Sequence, residues 1–342
     1  MSAPSSESVR QNKPLAPAFS AIDLGTNNCR LLVAVPQRGG FRVIDAYSQI
    51  VRLGEGLTHS GKLSDAAMDR TLDALNRCAE KIAMRRVLST RNIATEACRA
   101  ATNGEAFLER IAAETGLRFD IVTAEEEASL SVRGCIDLAD PKAEAVLVFD
   151  IGGGSTEISW LRVKTSDNDP LRLETAAWVS LPMGVVSVAE RLSAPELSNA
   201  DFDRLANDVA RRLQAVEVPE DIKGAFMAGK AHFIGTSGTV TSMAGVHLGL
   251  HSYSRRAVDG LWMSTADARA VSEELRQMEL QDRAQNACIG KDRADLVVGG
   301  CAILEGILRA WPVGRIRVGD RGLREGLLLD LIAKWRAQNS AA

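Results

Sequence analysis

No run of about eighteen uninterrupted apolar residues occurs in this 342-residue chain, so the sequence offers no membrane-spanning helix. The six cysteines, Cys29, Cys78, Cys98, Cys135, Cys288 and Cys301, include no C-x-x-C pair, and histidine occurs only four times. Zinc is therefore not an expected cofactor. The opening stretch "MSAPSSESVRQNKPLAPAF" lacks an apolar signal core and reads as a flexible polar leader over residues 1–16. Without an export signal, the thiols are expected to be small buried groups in a reducing cytoplasm. A basic surface is also missing: formal net charge is −3 and the sequence pI about 5.9, which argues against a nucleic-acid-coating protein. An anionic ligand would have to be drawn in by a local pocket. Nor is there a G-K-[ST] phosphate loop of the Walker kind. What remains, 46% apolar and 25% charged over 342 residues, is the balance of a soluble globular protein with room for two domains.

The chain does hold two related glycine loops. "AIDLGTNNCRLL" (21–32) aligns with "VFDIGGGSTEIS" (148–159), setting Asp23 over Asp150, Gly25 over Gly152, Asn28 over Ser155 and Arg30 over Glu157. Each copy reads as an apolar strand, an aspartate, a short polar loop and a second strand. A dinucleotide fold would need a helix after the loop. Two hairpins with phosphate-friendly tips instead suggest a duplicated α/β fold with a cleft between its halves. Three consecutive glycines, Gly152, Gly153 and Gly154, are expected where backbone must take a positive φ or approach something closely. The remaining pattern predicts helices at 64–86 with Ser64 as N-cap, at 104–115, at 199–216, near Thr239 onward, through "ADLVVGGCAILEGILRAW", and from Leu323 to Trp335. "VLSTRNIAT", "RFDIV", "AHFIGTSGT" and "GRIRVGDRG" carry strands.

Several groups stand out chemically, each with a plainer reading. Asp23 and Asp150 at matching strand ends can hold a hydrated magnesium ion, or one of them simply caps a turn. In "TAEEEASL", Thr123 and Glu126 form a capping box, and the acids of the first turn suit the helix dipole. Glu127 sits one step further and is a candidate general base, although spacing alone favours the cap. Arg52 and Arg99 are surface arginines or phosphate clamps. "GTSGTVTSM" (235–243) puts hydroxyls and glycines at a helix start, where unpaired N–H groups attract anions. Lys230, Arg255, Arg256 and Arg293 would line a polyanion path, or be solvated charges.

Taken in order, "AIDLGTNNCRLLVA", "VRLGEGL", "ATEACRAATN", "AEEEASL", "VFDIGGGSTE", "LPMGVVSVAER", "GTSGTVTSMA" and "GDRGLREGLL" resemble the exopolyphosphatase / guanosine pentaphosphate phosphohydrolase family, from about residue 18 to about 336. The resemblance implies an actin-like, duplicated ribonuclease H-like fold, with lobe I over 17–128 plus 323–342 and lobe II over 129–322. It implies hydrolysis of the terminal phosphoanhydride of inorganic polyphosphate, or of guanosine pentaphosphate, with Mg²⁺ and Mn²⁺ as the alternative ion. Carried over to this chain, Glu127, Asp150 and Glu157 are the catalytic acids, and Asp23, Asp150 and Glu157 the metal side. Thr26, Asn27, Asn28, Arg30, Arg99, Gly152, Gly153, Gly154, Ser155, Thr156, Gly235, Ser237, Gly238 and Arg293 contact phosphate. The resemblance thus overrides the cap reading of Glu127. It further implies a cytoplasmic homodimer without nucleic-acid or membrane partners. The chain departs from the pattern at Ser129, where an arginine is usual, at T-N-N in place of S-N-S, and in ending soon after "LREGLLLDLIAKW", which suggests the short two-domain form with a reduced polyphosphate channel. Rival readings are a kinase of the same fold and a nucleotide-driven assembly protein.

Overall fold

The computed structural model of the chain describes residues 17–166, 169–191 and 197–339; the expected leader, 1–16, lies outside them. Two sheets organise the molecule. In the first, β1 (Ala18–Leu24), β2 (Asn28–Gln37) and β3 (Gly40–Ile50) form an antiparallel meander, and β4 (Val87–Ala94) and β5 (Asp120–Ile121) add in parallel on the other side of β1. The order is β3-β2-β1-β4-β5.

The second sheet repeats this plan. Strands β6 (Ala145–Ile151), β7 (Thr156–Ser166) and β8 (Asp169–Leu181) are the meander, β9 (Ala231–Thr236) runs parallel to β6, and β10 (Trp262–Ser264) and β11 (Arg315–Val318) complete the edge. From β8 inward the order is β8-β7-β6-β9-β11, with β10 as an addition. Two copies of one five-strand order, each covered by helices, make a duplicated ribonuclease H-like, actin-like architecture of two lobes. The likeness extends to burial. "AFSAIDL" of β1 and "AVLVFDI" of β6 are buried at every position except the penultimate one, Asp23 or Asp150. Central strands covered on both faces read as nearly continuous apolar runs, so one acid at the same step of each run marks the end of the core.

Helices follow the expected signals. Ser64 accepts a hydrogen bond from Ala67 N (3.3 Å) to open Asp65–Met84, whose Leu72, Leu75 and Cys78 pack under the first sheet with Phe107 and Ile111 of Gly104–Thr115. Leu327, Leu328 and Ile332 of the last helix, Leu323–Asn339, cover the opposite face against Phe19, Ala21 and Leu32. In the second lobe, Asn199–Gln214 and Val297–Ala310 bury Val209, Leu213, Ile303 and Ile307 beside Trp160 and Phe233. The helix Ala124–Cys135 runs unbroken between the lobes, giving Leu130 to the first core and Cys135 to a second-lobe cluster.

Two expectations need correction. The helix anticipated near Thr239 opens at Ser237, which takes the left-handed φ of 78°. "RFDIV" contributes only Asp120 and Ile121 as strand, because an edge strand has a partner on one side alone. No helix among the described residues is long and apolar enough to cross a membrane.

Candidate active site

Both hairpin tips point into the space between the lobes. In each, carbonyls are tied back into their own lobe. Thr26 O accepts from Gly54 N, and Asn27 O from Val51 N and Arg52 N; Gly153 O accepts from Val186 N and Ser187 N. The N–H groups of Thr26, Asn27, Gly153, Gly154 and Ser155 have no protein acceptor among the described residues. Unpaired backbone donors turned to one concavity form an anion-binding nest. A cavity lies over them, lined by both loops together with Asp23, Arg30, Glu96, Glu127, Asp150 and Ser237.

None of Gly152, Gly153 and Gly154 has a positive φ; close approach is what requires them. A methyl on Gly153 would sit 3.1 Å from Asn27 N, and one on Gly154 2.8 Å from Thr26 Oγ1. The loops of the two lobes touch. "VRLGEGL" serves the same contact from below, since a methyl on Gly54 would lie 2.3 Å from Thr26 Cγ2.

Four buried acids act on one another here, Asp23, Glu127 and Asp150 from the cavity wall and Glu157 from behind it. Burial raises Asp23 to about 6, opposed by Arg30 and Arg324. Burial likewise raises Asp150, although Thr236 and Arg30 work against it. Glu157 is raised to about 7, mainly by burial and against a hydrogen bond from Ser155. Glu127 lies well above the ordinary carboxylate range through burial and the charge of Glu157, with Arg99 pulling the other way. Desolvated acids that repel one another retain protons until a cation arrives.

Beyond Asp23, Arg30, Asp150, Ser237 and Leu323, which line both spaces, the cavity opens into a larger chamber. Arg30 and Arg324 project there without an ion pair among the described residues. Among the described residues Arg293 is held only by Ser242 Oγ, at 3.4 Å. By contrast Arg255 is engaged by Glu325 at 2.8 Å, and Arg321 by Asp259.

The structure therefore brings together Asp23, Thr26, Asn27, Asn28, Arg30, Glu127, Asp150, Gly152, Gly153, Gly154, Ser155 and Ser237, and adds Gly238 and Arg293 on an adjoining wall. Other expected residues fall elsewhere. The Glu157 carboxylate accepts from Ser180 Oγ (2.9 Å) and lines neither space. Thr156 is fully buried, its hydroxyl donating to Met183 O. Gly235 lies inside β9 against the Phe149 ring. Arg99 is occupied by Glu96, Glu127 and Val122 O. Arg52 crosses to Asp295 at 3.1 Å. Lys230 pairs with Glu144 at the strand-start end of the second sheet, and Arg256 lines none of these spaces. Ser129 faces a rear groove with Arg133, so an arginine at this position would turn away from Glu127.

Arg324 went unassigned by the sequence. It stands in "GDRGLREGLL", where a helix start conceals its role: only the return of the last helix to the first lobe carries it beside Asp23.

The residues present suit magnesium. Asp23 and Asp150 supply carboxylate oxygens, and Asn27 Oδ1 and Asn28 Oδ1 are buried without a protein partner. This is the all-oxygen donor set that a hard, well-hydrated ion takes. No group of three or more His, Cys, Asp or Glu placed to hold a metal ion occurs among the described residues, so Glu157 is not drawn into a metal site with Asp23 and Asp150. His247 and His251 stand four apart, but the helix ends at His247.

Residues 32–335 match the Ppx/GppA phosphatase family. The chain is 28% identical over 328 residues to exopolyphosphatase 2 of Mycobacterium tuberculosis, covering 91% of this chain and 98% of that one. It is 25% identical to guanosine-5′-triphosphate,3′-diphosphate pyrophosphatase of Photobacterium profundum, over 95% of this chain and 61% of that protein. Among solved structures, an exopolyphosphatase from Cytophaga hutchinsonii superposes with a TM-score of 0.80 at 23% identity, over 93% and 98% of the two chains, which bears on the fold. With the duplicated hairpins and their converging loops, the match over 32–335 gives the assignment: this chain belongs to the Ppx/GppA phosphatase family.

Proposed function

We propose that the protein is a magnesium-dependent exopolyphosphatase that removes the terminal phosphate of inorganic polyphosphate by in-line attack of water. The observation that carries this reading is the contact of two nests, Thr26–Asn27 and Gly153–Ser155, over one cavity that also holds Glu127. A terminal phosphoryl group seated there is gripped by N–H donors from both lobes, which stabilise equatorial charge as it develops. Glu127 orients water and takes its proton; burial and the charge of Glu157 raise the affinity of its carboxylate for that proton. Asp23, Asp150 and the two asparagine oxygens would hold Mg²⁺, which when bound supplies charge neutralisation to the phosphate oxygens. The unpaired Arg30, Arg293 and Arg324 of the chamber bind the following phosphates of the chain. Six buried free thiols support work in a reducing cytoplasm.

A second reading is guanosine pentaphosphate hydrolysis. It is favoured by the chamber's size and by Tyr253, Leu32 and Ile289, which give a base and ribose something to pack on beside the arginines.

Phosphate release from long polyphosphate, guanosine pentaphosphate and ATP, compared for wild type and Glu127→Gln, tests both. The proposed activity requires fast release from polyphosphate and a loss of about 10²–10⁴-fold in the variant. Faster turnover of the guanosine substrate would select the second reading. Release from none of the three would move the kinase and assembly readings ahead.

A further inference from the structure

Arg99 was expected to grip phosphate, yet its side chain is spent on protein groups. It stands on the short helix Glu96–Ala100 after β4 and reaches the start of the Ala124–Cys135 helix. Nη1 donates to Val122 O at 2.7 Å and to Glu127 Oε2 at 3.2 Å, while Nε and Nη2 both donate to Glu96 Oε2, at 3.1 and 2.6 Å. One planar fork is thus pinned on two sides by Val122 O and Glu96 and offers its remaining edge to Glu127. A guanidinium held at several donors has little rotational freedom left, so it fixes whatever it touches on its free edge.

The arrangement also reaches the phosphate loop. Glu96 lines the catalytic cavity, and its Cγ would be 2.9 Å from a methyl on Gly154. Around Glu127 stand the acids Glu157, Asp23 and Asp150, all like charges, against which Arg99 is the opposing cation. Nothing at residue 129 supplements it, because Ser129 faces the rear groove.

We infer that Arg99, anchored by Glu96, is a positioning residue that aims the Glu127 carboxylate at its water, and is not a substrate ligand. This rests on Glu127 being the base.

The test is a double-mutant cycle on polyphosphate hydrolysis with Arg99→Gln, Arg99→Lys and Glu96→Gln, each made alone and with Glu127→Gln, together with calorimetric titration of polyphosphate into the Glu127→Gln proteins. Misaiming a catalytic group costs about 10- to 100-fold. Arg99→Gln is therefore expected to lower kcat by that factor with KM within about twofold, and to add nothing once Glu127 is already glutamine. Arg99→Lys should recover little, because one ammonium cannot serve Val122, Glu96 and Glu127 together. Polyphosphate should bind the Glu127→Gln protein equally well with or without Arg99. Weaker binding by about tenfold, or losses that multiply across the cycle, would make Arg99 a phosphate ligand and overturn the proposal. Should Arg99→Gln not fold, Glu96→Gln carries the same cycle, since the anchor to Val122 O remains. A wild-type rate in Glu127→Gln alone would instead remove the base assignment, and the inference with it.

Discussion

Asp23 and Asp150 occupy the same step of two copies of one hairpin. Each is the penultimate residue of a buried central strand, and each faces across its hairpin the residue seven positions on, Arg30 in one lobe and Glu157 in the other. The duplication was kept in backbone and register while the cross-strand partner changed sign. The first lobe thereby offers the cleft an arginine, and the second keeps an acid behind it.

The buried acids of the cleft make stability depend on pH in an unusual direction. A carboxyl whose folded pKa is raised holds its proton more tightly in the fold than in the unfolded chain. Its contribution is present at acidic pH and is lost as pH climbs through the folded value. Asp23 at about 6 and Glu157 at about 7 set that window at roughly pH 4–7. A shift of two units is about 3 kcal/mol for one group, and the groups share protons, so their effects do not add. In chelator, Tm is expected to fall between about pH 5 and pH 7.5, and millimolar Mg²⁺ should restore part of it at the upper end. Asp23→Asn should flatten both responses. A Tm in chelator that rises steadily over this interval would show that these acids ionise freely in the fold.

Close approach of the loops gives a second prediction. A methyl on Gly184 would lie 2.4 Å from the carbonyl carbon and oxygen of Gly153, and backbone atoms cannot rotate aside. Gly184→Ala should push the second loop toward the first and lower kcat by at least about tenfold, the usual scale for displaced catalytic geometry. Gly153→Ala, whose nearest contacts are 3.0–3.2 Å away, should lose less. Equal rates for Gly184→Ala and wild type would mean that the loop is not held as tightly as these contacts require.

The order of motifs gave both loops and both aspartates, because strand-end acids followed by polar turns are a local pattern, whereas Glu127, in the first turn of a helix, reads as part of a cap from spacing and is reached only through the family resemblance. Thr156, Gly235 and Glu157 belong to the same motifs and still miss the cavity: the Thr156 hydroxyl is spent on Met183 O, Gly235 packs on the Phe149 ring, and the Glu157 carboxylate accepts from Ser180, contacts that no motif string shows. Arg52 and Arg99 are lost for another reason. A long side chain is spent on whichever carboxylate the fold brings near, and Asp295 lies 243 residues from Arg52. Arg324 needed the return of the last helix, a long-range event with no local signature.

Two contacts at the cleft rim give a third prediction. Arg52 holds a left-handed φ of 47° and reaches Asp295 across the lobes, while Glu190 accepts from Gly56 N at 2.6 Å and Thr58 N at 3.3 Å. Both hold the two lobes together at the rim. Asp295→Asn separates this role from simple attraction of a polyanion. Losing a negative charge would lower KM for polyphosphate if attraction governed, whereas losing a latch should raise it. We expect KM to rise about two- to fivefold, as for an exposed ion pair, with kcat nearly unchanged and the effect shrinking in high salt. A lower KM would sink the latch.

The last prediction concerns the crossing of the two helices that tie the lobes together. A methyl on Gly134 would fall 1.9 Å from Gly322 O, and one on Gly326 2.2 Å from Leu130 O. The two backbones meet with no side chain between them, so Ala at either position must force the helices apart. Overpacking of this kind costs about 1–3 kcal/mol, or several degrees of Tm for a chain of this length. Because Gly322 precedes Leu323 and Arg324 at the cavity wall, the same separation should displace Arg324 and reduce activity in the protein that remains folded. Gly224 is the control: it sits within the helix Glu220–Met227 with nothing inside 4 Å of an added methyl. Gly224→Ala should be neutral or stabilising by about 0.5–1 kcal/mol. If calorimetry found Gly134→Ala as stable as Gly224→Ala, the helices would have room to spare at their crossing, and a pivot of touching backbones could not be what sets the lobes.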